Sequence, residues 1–357
     1  MKALILAAGQ GTRLRPVTLT MPKSLVPVAN RWLINYALDA LKMAGLTDIG
    51  IVVNNLDSPI VANLKDGRSL GVRIEYIVQD EQLGLAHATS LCRDFVGDEP
   101  FTVFLGDNIF QDKMTDLLTS FAGSSDEAAV VLASVPDPSR FGIAEIANGR
   151  IVRVIEKPAE PPSNLAIAGV YLFRKSIFDA IGRIKPSGRN ELEITDAIQV
   201  LIDDGLPVSS YELSGWWIDA GKPDAIIMAN QLVLEELPYT PAPEGSEQIE
   251  GQSEVSHRVL IGPGSRIIDS VIRGPVIIGK NATIRNSYVG PYTSIGDNVV
   301  VDGSEIEASI VMQDCEIRNI LGRIDRSLLA DNARVTSAAH VPDAHRFVLA
   351  ENSYVQF

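Results

Sequence analysis

The chain is poor in the groups that would hold a metal cluster, a disulfide framework or a polyanion. Its 357 residues include two cysteines, Cys92 and Cys315, which lie far apart and offer neither a bridging pattern nor a metal-ligand spacing. Cations are scarce as well. Against 45 Asp and Glu stand 31 Lys and Arg, a formal charge of −14, which repels nucleic acid and anionic lipid. Any phosphate site must then be a local cationic pocket, which suits a small phosphorylated substrate better than a polymer. No apolar run is long enough to span a bilayer, and Ala3 to Ala8 is too short for the apolar region of a signal peptide. We expect a cytoplasmic protein without a membrane or nucleic-acid partner. The length suits two domains, each with a sizeable core.

What is present begins at the first residues. The apolar run Ala3 to Ala8 reads as an interior strand, and it leads into Gly9-Gln10-Gly11-Thr12-Arg13-Leu14. Small residues there let the backbone turn its N–H groups toward phosphate oxygens, while Arg13 and Lys23 supply charge as a planar fork and a point charge. Gly9 and Gly11 alone could merely shape a tight turn. The string is not a Walker loop, which ends in Gly-Lys-Ser/Thr, nor a dinucleotide fingerprint, because Arg13-Leu14 follows where the third glycine belongs.

Strand and helix patterns alternate through the first two thirds. Leu33, Ile34, Ala37, Leu38 and Leu41 recur at helical spacing, with Gly45 as the stop. The segments Ile49 to Val53, Val72 to Val78, Phe101 to Leu105, Ala128 to Ala133 and Ala166 to Phe173 read as strands, and Leu85 to Cys92 as a helix. Asn148-Gly149 between two apolar runs reads as a hairpin turn. The fold class is α/β with a mostly parallel sheet. Asp107 stands at the end of the strand Phe101 to Leu105, and Asp219 follows Trp216-Trp217-Ile218. Two carboxylates arriving from distant strand ends suit a divalent cation such as magnesium, although an isolated Gly-Asp more often caps a helix. Glu156 and Lys157 offer an acceptor and a cation side by side, as a sugar phosphate needs or as a solvated surface pair would. The amide of Gln79 matches the edge of a pyrimidine, and Gly84 permits close backbone approach. His87 reads as a packed helix residue.

Beyond Leu237 the composition changes to a proline-rich linker, here bounded at 238–250, and then the chain repeats itself. Ile261, Ile278 and Ile295 each open an Ile-Gly turn seventeen residues after the last; Ile267, Ile284, Val301 and Ile272, Val289, Ile306 keep the same step. Three inward aliphatics per repeat imply a triangular coil of short parallel strands, against the alternative of a few strands from a sandwich. The segment 251–357 is read as this coil, with the less regular tail from Arg323 as its cap.

The order of Leu6-Ala7-Ala8-Gly9-Gln10-Gly11-Thr12-Arg13-Leu14, Pro22-Lys23, Gly84-Leu85-Ala86, Leu105-Gly106-Asp107-Asn108, Glu156-Lys157-Pro158 and Glu191 to Asp196 resembles the sugar-1-phosphate nucleotidyltransferases. Within them it is most similar to the thymidylyltransferase branch, in the long form that adds a left-handed β-helix. The resemblance covers residues 1–237. It implies a Rossmann-like catalytic domain with a mostly parallel mixed sheet, and transfer of a thymidylyl group from dTTP to glucose 1-phosphate with Mg2+. Leu6, Ala8, Gly9, Gly11, Thr12, Arg13 and Lys23 would then hold the triphosphate, Gln79 and Gly84 the base, and Asp107 and Asp219 the metal. Asn108, Gly142, Glu156 and Ile167 would meet the sugar, and Lys157 and Arg189 its phosphate. Ala8 stands where short forms have Gly, and Ser24 where they have Gln. A guanylyltransferase for mannose 1-phosphate, a UTP-using relative, a bifunctional acyltransferase and a decayed regulatory subunit are the rivals. The acyltransferase wants a histidine on the coils, whereas His257 precedes them and His340 and His345 lie in the tail. The coils themselves are expected to assemble a homo-oligomer rather than touch substrate.

Overall fold

The structure, a computed structural model, describes residues 1–147, 149–241, 248–337 and 352–356. Asn148 of the hairpin turn, much of the proline-rich segment, His340, His345 and most of the tail lie outside the described residues. The chain forms two compact units. One comprises Met1–Gln10, Met21–Leu25 and Leu33–Asp219; the other comprises Gly11–Thr20, Val26–Trp32 and Ala220–Phe357.

The first unit is built on a nine-stranded mixed sheet. The opening apolar run forms the strand Lys2–Leu6 because Ala3, Leu4 and Ile5 are fully buried between parallel neighbours Asp48–Val53 and Phe101–Leu105. Strands buried on both faces carry continuous apolar sequence, and all three do. Arg73–Val78 extends this parallel set on one side. On the other side Leu165–Phe173 runs antiparallel to Phe101–Leu105 and to Ala128–Ser134. Gly142–Ala147 and Arg150–Glu156 form the expected antiparallel pair. The helix Leu33–Met43 buries the five apolar positions read from its spacing, and Gly45, at φ 80°, ends it with its N–H on Lys42 O. Thr115–Gly123, Pro59–Leu64 and Val208–Glu212 are elements that the sequence pattern did not disclose.

In the second unit the three columns of aliphatics pair in register. Ile261, Ile278 and Ile295 lie side by side on one sheet, Ile267, Ile284 and Val301 on a second, and Ile272, Val289 and Ile306 on a third. Three stacked parallel sheets make a triangular coil consistent with a left-handed β-helix. Its interior is a dry aliphatic column in which Ile267, Ile284, Val289, Val301 and Ile306 have no exposed surface. A serine column reinforces one corner: Ser270 N, Ser287 N and Ser304 N donate to the hydroxyls of Ser253, Ser270 and Ser287 at 3.2, 3.1 and 3.2 Å. The coil is longer than the repeat read from sequence. Its first strand, Ile249–Glu250, pairs with Arg266–Ile268 and so lies inside the segment bounded as linker. At the other end Arg323–Asp325, Leu328–Leu329 and Arg334–Thr336 continue the three sheets. This corrects the reading of the tail from Arg323 as a cap: the coil persists to Thr336, hidden because Val301 to Ile317 and Ile317 to Val335 no longer keep the step of seventeen. Among the described residues no helix is long and apolar enough to cross a membrane.

Candidate active site

The strand Phe101–Leu105 ends at Gly106, and Asp107 follows. What comes next is a short strand, Asn108–Phe110, so the alternative of a helix cap falls away. Asn108–Phe110 pairs antiparallel with Trp217–Asp219, placing Asp219 opposite Asn108 and therefore beside Asp107. This ladder brings together two carboxylates more than a hundred residues apart. The Trp217 indole N–H donates to Asn108 Oδ1 at 2.5 Å, and Asn108 Nδ2 donates to Asp107 Oδ1 at 2.7 Å. The Asp107 carboxylate is thereby oriented from behind.

Lys23 points its ammonium between the two carboxylates. It lies on the short helical turn Lys23–Leu25, is nearly buried, forms an ion pair with Asp107 and stands 3.6 Å from Asp219 Oδ1. Burial pushes the Asp107 carboxyl upward, but the charge of Lys23 and hydrogen bonds from Lys23 and Asn108 outweigh it and hold the group below the usual carboxylate range. The ammonium occupies a position shared by both carboxylates. A divalent cation seeks the same oxygen donors, so Asp107 and Asp219 fit such an ion, with water and phosphate oxygens completing its shell.

The phosphate loop is fixed by backbone and amide contacts. Ala7 N donates to Val52 O at 2.9 Å, Gln82 Nε2 to Ala8 O at 3.1 Å, and Gln10 Nε2 to Gln82 Oε1 at 2.7 Å. Ala8 is buried in the core cluster, and its carbonyl accepts the Gln82 amide. Leu6 ends the first strand, and Gly9 has open space where a side chain would stand. Gly11, Thr12 and Arg13 belong to the second unit. There Gly11 adopts φ 62°, Thr12–Leu14 forms a single helical turn, and the Thr18 hydroxyl donates to Gly11 O at 2.7 Å.

Gln79 and Gly84 come together, since Gln79 Nε2 donates to Gly84 O at 3.3 Å and meets His87 Nδ1 at 3.1 Å. Gly84 is required by its backbone: φ is +102°, and a Cβ would lie 2.5 Å from Leu192 O. Leu192 N donates to Leu83 O at 2.6 Å and Ala86 N to Leu192 O at 3.0 Å, which ties the segment around Gly84 to the loop bearing Arg189.

Around Glu156 the remaining residues form one charged cluster. Its Oε1 meets Arg189 at 3.1 Å and Lys157 Nζ at 3.2 Å, and its Oε2 accepts from the Thr195 hydroxyl at 3.2 Å. A Cβ on Gly142 would sit 3.1 Å from Glu156 Oε2. Ile167 is buried on the neighbouring strand. Sequence reading passed over Glu193, which is nearly buried and receives Arg189 at 2.8 Å and the Ser187 hydroxyl at 2.7 Å. It also passed over Gln82 and Tyr171. Burial pushes the Tyr171 phenol up, helped by the charges of Glu156, Glu193 and Asp107. Glu193 and Thr195 stood in the quoted Glu191 to Asp196 string, and Tyr171 in the string Ala168-Gly169-Val170-Tyr171 of the same resemblance, without a role; nothing marked Gln82.

A mixed α/β sheet with a phosphate-type loop after its first strand, and paired carboxylates at two strand ends, defines a nucleotidyltransferase. Residues 2–236 match the family described as Nucleotidyl transferase, and the chain belongs to that family. It is 43% identical over its whole length to a glucose-1-phosphate thymidylyltransferase of Streptomyces griseus, 99% of which is covered. It is 44% identical, over all of both chains, to a low-salt glycan biosynthesis nucleotidyltransferase of Haloferax volcanii. A crystal structure from Bacillus anthracis, described provisionally as a glucose-1-phosphate thymidylyltransferase, superposes with a TM-score of 0.63 at 40% identity, covering 67% of this chain and 97% of that one.

Proposed function

We propose that the chain transfers a thymidylyl group from dTTP to glucose 1-phosphate, yielding dTDP-glucose and pyrophosphate. The observation that carries this reading is the convergence of Lys23, on a short helical turn, with Asp107, just past the end of the strand beside the first one, and Asp219, on the ladder that follows it. Full-length similarity to a thymidylyltransferase supports the choice of nucleotide and sugar. In the reaction a phosphate oxygen of glucose 1-phosphate forms a bond to the α-phosphorus of dTTP as the bond to the bridging β-phosphate oxygen breaks, and pyrophosphate leaves in line.

The protein aligns these groups and balances their charge. The loop from Ala8 through Gly11 and Thr12 offers backbone N–H groups to the triphosphate, while Lys23 and Arg13 meet the transferring and leaving phosphates. Gln79 and the Gly84 backbone take the base. Asn108, Gly142, Glu156 and Ile167 orient the glucose, with Lys157 and Arg189 on its phosphate. Asp107 and Asp219 would hold Mg2+, which when bound withdraws charge from phosphate oxygens. No side chain in this set is an activated nucleophile, so the transfer is direct. The substrates of this reading place the protein in the cytoplasm, and its β-helix is assigned to assembly of a homo-oligomer.

Pyrophosphate release measured over a grid of dTTP, UTP and GTP against glucose, N-acetylglucosamine and mannose 1-phosphates tests the reading. The highest kcat/KM is expected for dTTP with glucose 1-phosphate. A higher value for any other pair would reassign the substrate, and acetyl-CoA consumption would move the β-helix to acyl transfer.

A further inference from the structure

The short helix that opens at Gly84 carries a histidine whose pattern in the sequence suggests packing alone. His87 lies on Leu85–Ser90, and its ring nitrogen Nδ1 stands 3.1 Å from Gln79 Nε2. Gln79 is nearly buried just past the strand Arg73–Val78, with its backbone N–H donating to Val53 O at 2.8 Å. Its side-chain amide is therefore held from a fixed backbone, and all of these groups belong to the first unit.

Which end of the amide faces which neighbour follows from donor and acceptor chemistry. The Gly84 carbonyl can only accept, and it is already tied to the helix by Ala88 N at 3.1 Å, so the amide atom 3.3 Å from it must be the nitrogen. An oxygen there would face another oxygen. The same NH2 group meets His87, and because it has only hydrogens to offer, Nδ1 must be the bare nitrogen and the ring proton must sit on Nε2. Two acceptors thus engage the nitrogen end. Among the described residues Gln79 Oε1 accepts no hydrogen bond, so the capacity this amide has to spare is that of an acceptor.

An acceptor fixed in that place selects among bases. Thymine and uracil carry an N–H at N3, whereas cytosine carries there a bare nitrogen that itself needs a donor. A glutamine free to turn over would pair with either, by exchanging its oxygen and nitrogen ends. We infer that His87 is a positioning residue for base selection: together with the Gly84 carbonyl it holds the Gln79 amide so that Oε1 meets an N3–H, which admits thymine or uracil and turns cytosine away. Without His87 one hydrogen of the NH2 group loses its partner, and the amide is freer to turn. The inference rests on the proposed reaction, in which Gln79 and the Gly84 backbone take the base. It leaves thymine and uracil equal, since both present the same N3–H.

Two variants of the full-length protein and one measurement on the unaltered protein test this. His87→Leu removes the acceptor, and His87→Asn puts an amide oxygen close to where Nδ1 stood. With glucose 1-phosphate as co-substrate, and dCTP followed as a substrate or as an inhibitor of dTTP turnover, the preference for dTTP over dCTP should fall roughly tenfold in His87→Leu, the scale of a lost hydrogen bond that fixes orientation. His87→Asn should keep that preference within about threefold of the original. The ratio of dTTP to UTP should move less than about twofold in either variant, because the edge they share is unchanged. A merely structural role would lower all the nucleotides together and leave every ratio as it was. In the unaltered protein at neutral pH, nitrogen NMR of isotope-labelled histidine, assigned by the signal that His87→Asn loses, should show the His87 proton on Nε2. An unchanged preference for dTTP over dCTP in a folded His87→Leu, or a ring proton on Nδ1, would overturn the inference. If the unaltered protein turned over no pyrimidine nucleotide, the proposed reaction would be what failed, and the tautomer would still decide whether His87 holds the amide.

Discussion

Replacing Lys23 with methionine removes a nearly buried ammonium from between two carboxylates while keeping its volume. At 3.6 Å from Asp219, with an effective dielectric near 20, one such interaction is worth about 4–5 kcal/mol before desolvation. The pair with Asp107 is closer still. Desolvation of three charged groups offsets most of this, and breaking a buried ion pair from one side costs about 3–5 kcal/mol net. For a unit of this size that corresponds to a fall in melting temperature of roughly 6–20 °C. The two carboxylates left behind repel each other and lose the charge of Lys23, so magnesium should restore stability in Lys23→Met more than it raises that of the unaltered protein. Thermal unfolding with and without magnesium, followed by circular dichroism, reads both effects. A variant that melts within a degree or two of the original and gains nothing extra from magnesium would refute the placement of Lys23 as the balancing charge of this pair.

Asp107→Asn and Asp219→Asn should each raise the magnesium needed for half-maximal turnover, on the order of 10–100-fold, as loss of a group that holds a metal in place does. The double change should cost far less than the product of the two if they share one ion; multiplicative losses in a magnesium titration would mean separate roles. Gly84→Ala puts a Cβ 2.5 Å from Leu192 O at a φ of +102°, and the backbone strain alone is about 1–2 kcal/mol, or a factor of roughly 5–30 in kcat/KM for the nucleotide. Steady-state kinetics with unchanged nucleotide kcat/KM would show that the Gly84 backbone is not used. Gly142→Ala forces a methyl 2.7 Å from Thr195 Cγ2 and 3.1 Å from Glu156 Oε2, so the KM for glucose 1-phosphate should rise about tenfold at an overpacking cost of about 1–3 kcal/mol, with the KM for dTTP unmoved. A rise in both KM values would place Gly142 outside a dedicated sugar pocket.

The β-helix was legible because its side chains repeat in the same frame as its hydrogen bonds. Each rung presents an aliphatic residue to the interior on every side, so Ile267, Ile284 and Val301 occur at a fixed step and also pair with one another. That coincidence fails where a rung gains or loses a residue at a corner. Val301 to Ile317 is a shorter step and Ile317 to Val335 a longer one, yet their backbone pairing is unbroken. A periodic reading stops at the first irregular corner, whereas the parallel ladder tolerates it. In the catalytic unit, buried strands were visible as apolar runs. Val208–Glu212, with Ser209, Ser210 and Tyr211 in its middle, was not, because its pairing with Ala128–Ser134 depends on a partner that no local pattern names.

The site divides along the same physical line. Residues that act through a fixed backbone position, such as Gly84 with its left-handed φ or Asp107 at a strand end, leave a local trace in sequence. The balance of charge among them leaves less: Lys23, Asp107 and Asp219 were each named from sequence, but not the ion pairs between them. Lys23, Asp107 and Asp219 carry one net negative charge together, and Glu156, Glu193 and Glu191 outnumber the cations Arg189 and Lys157 that meet them. Both clusters therefore keep acidic capacity in excess of their own lysine and arginine. If the proposed reaction holds, a triphosphate arriving alone would draw Lys23 away from carboxylates that then repel it, while one arriving with a divalent cation brings positive charge to them. On that reading a metal-bound nucleotide is favoured over a free one, and the sequence, which paired Asp107 with Asp219, did not disclose the ladder between Asn108 and Asp219 that sets them side by side or the place of Lys23 beside both.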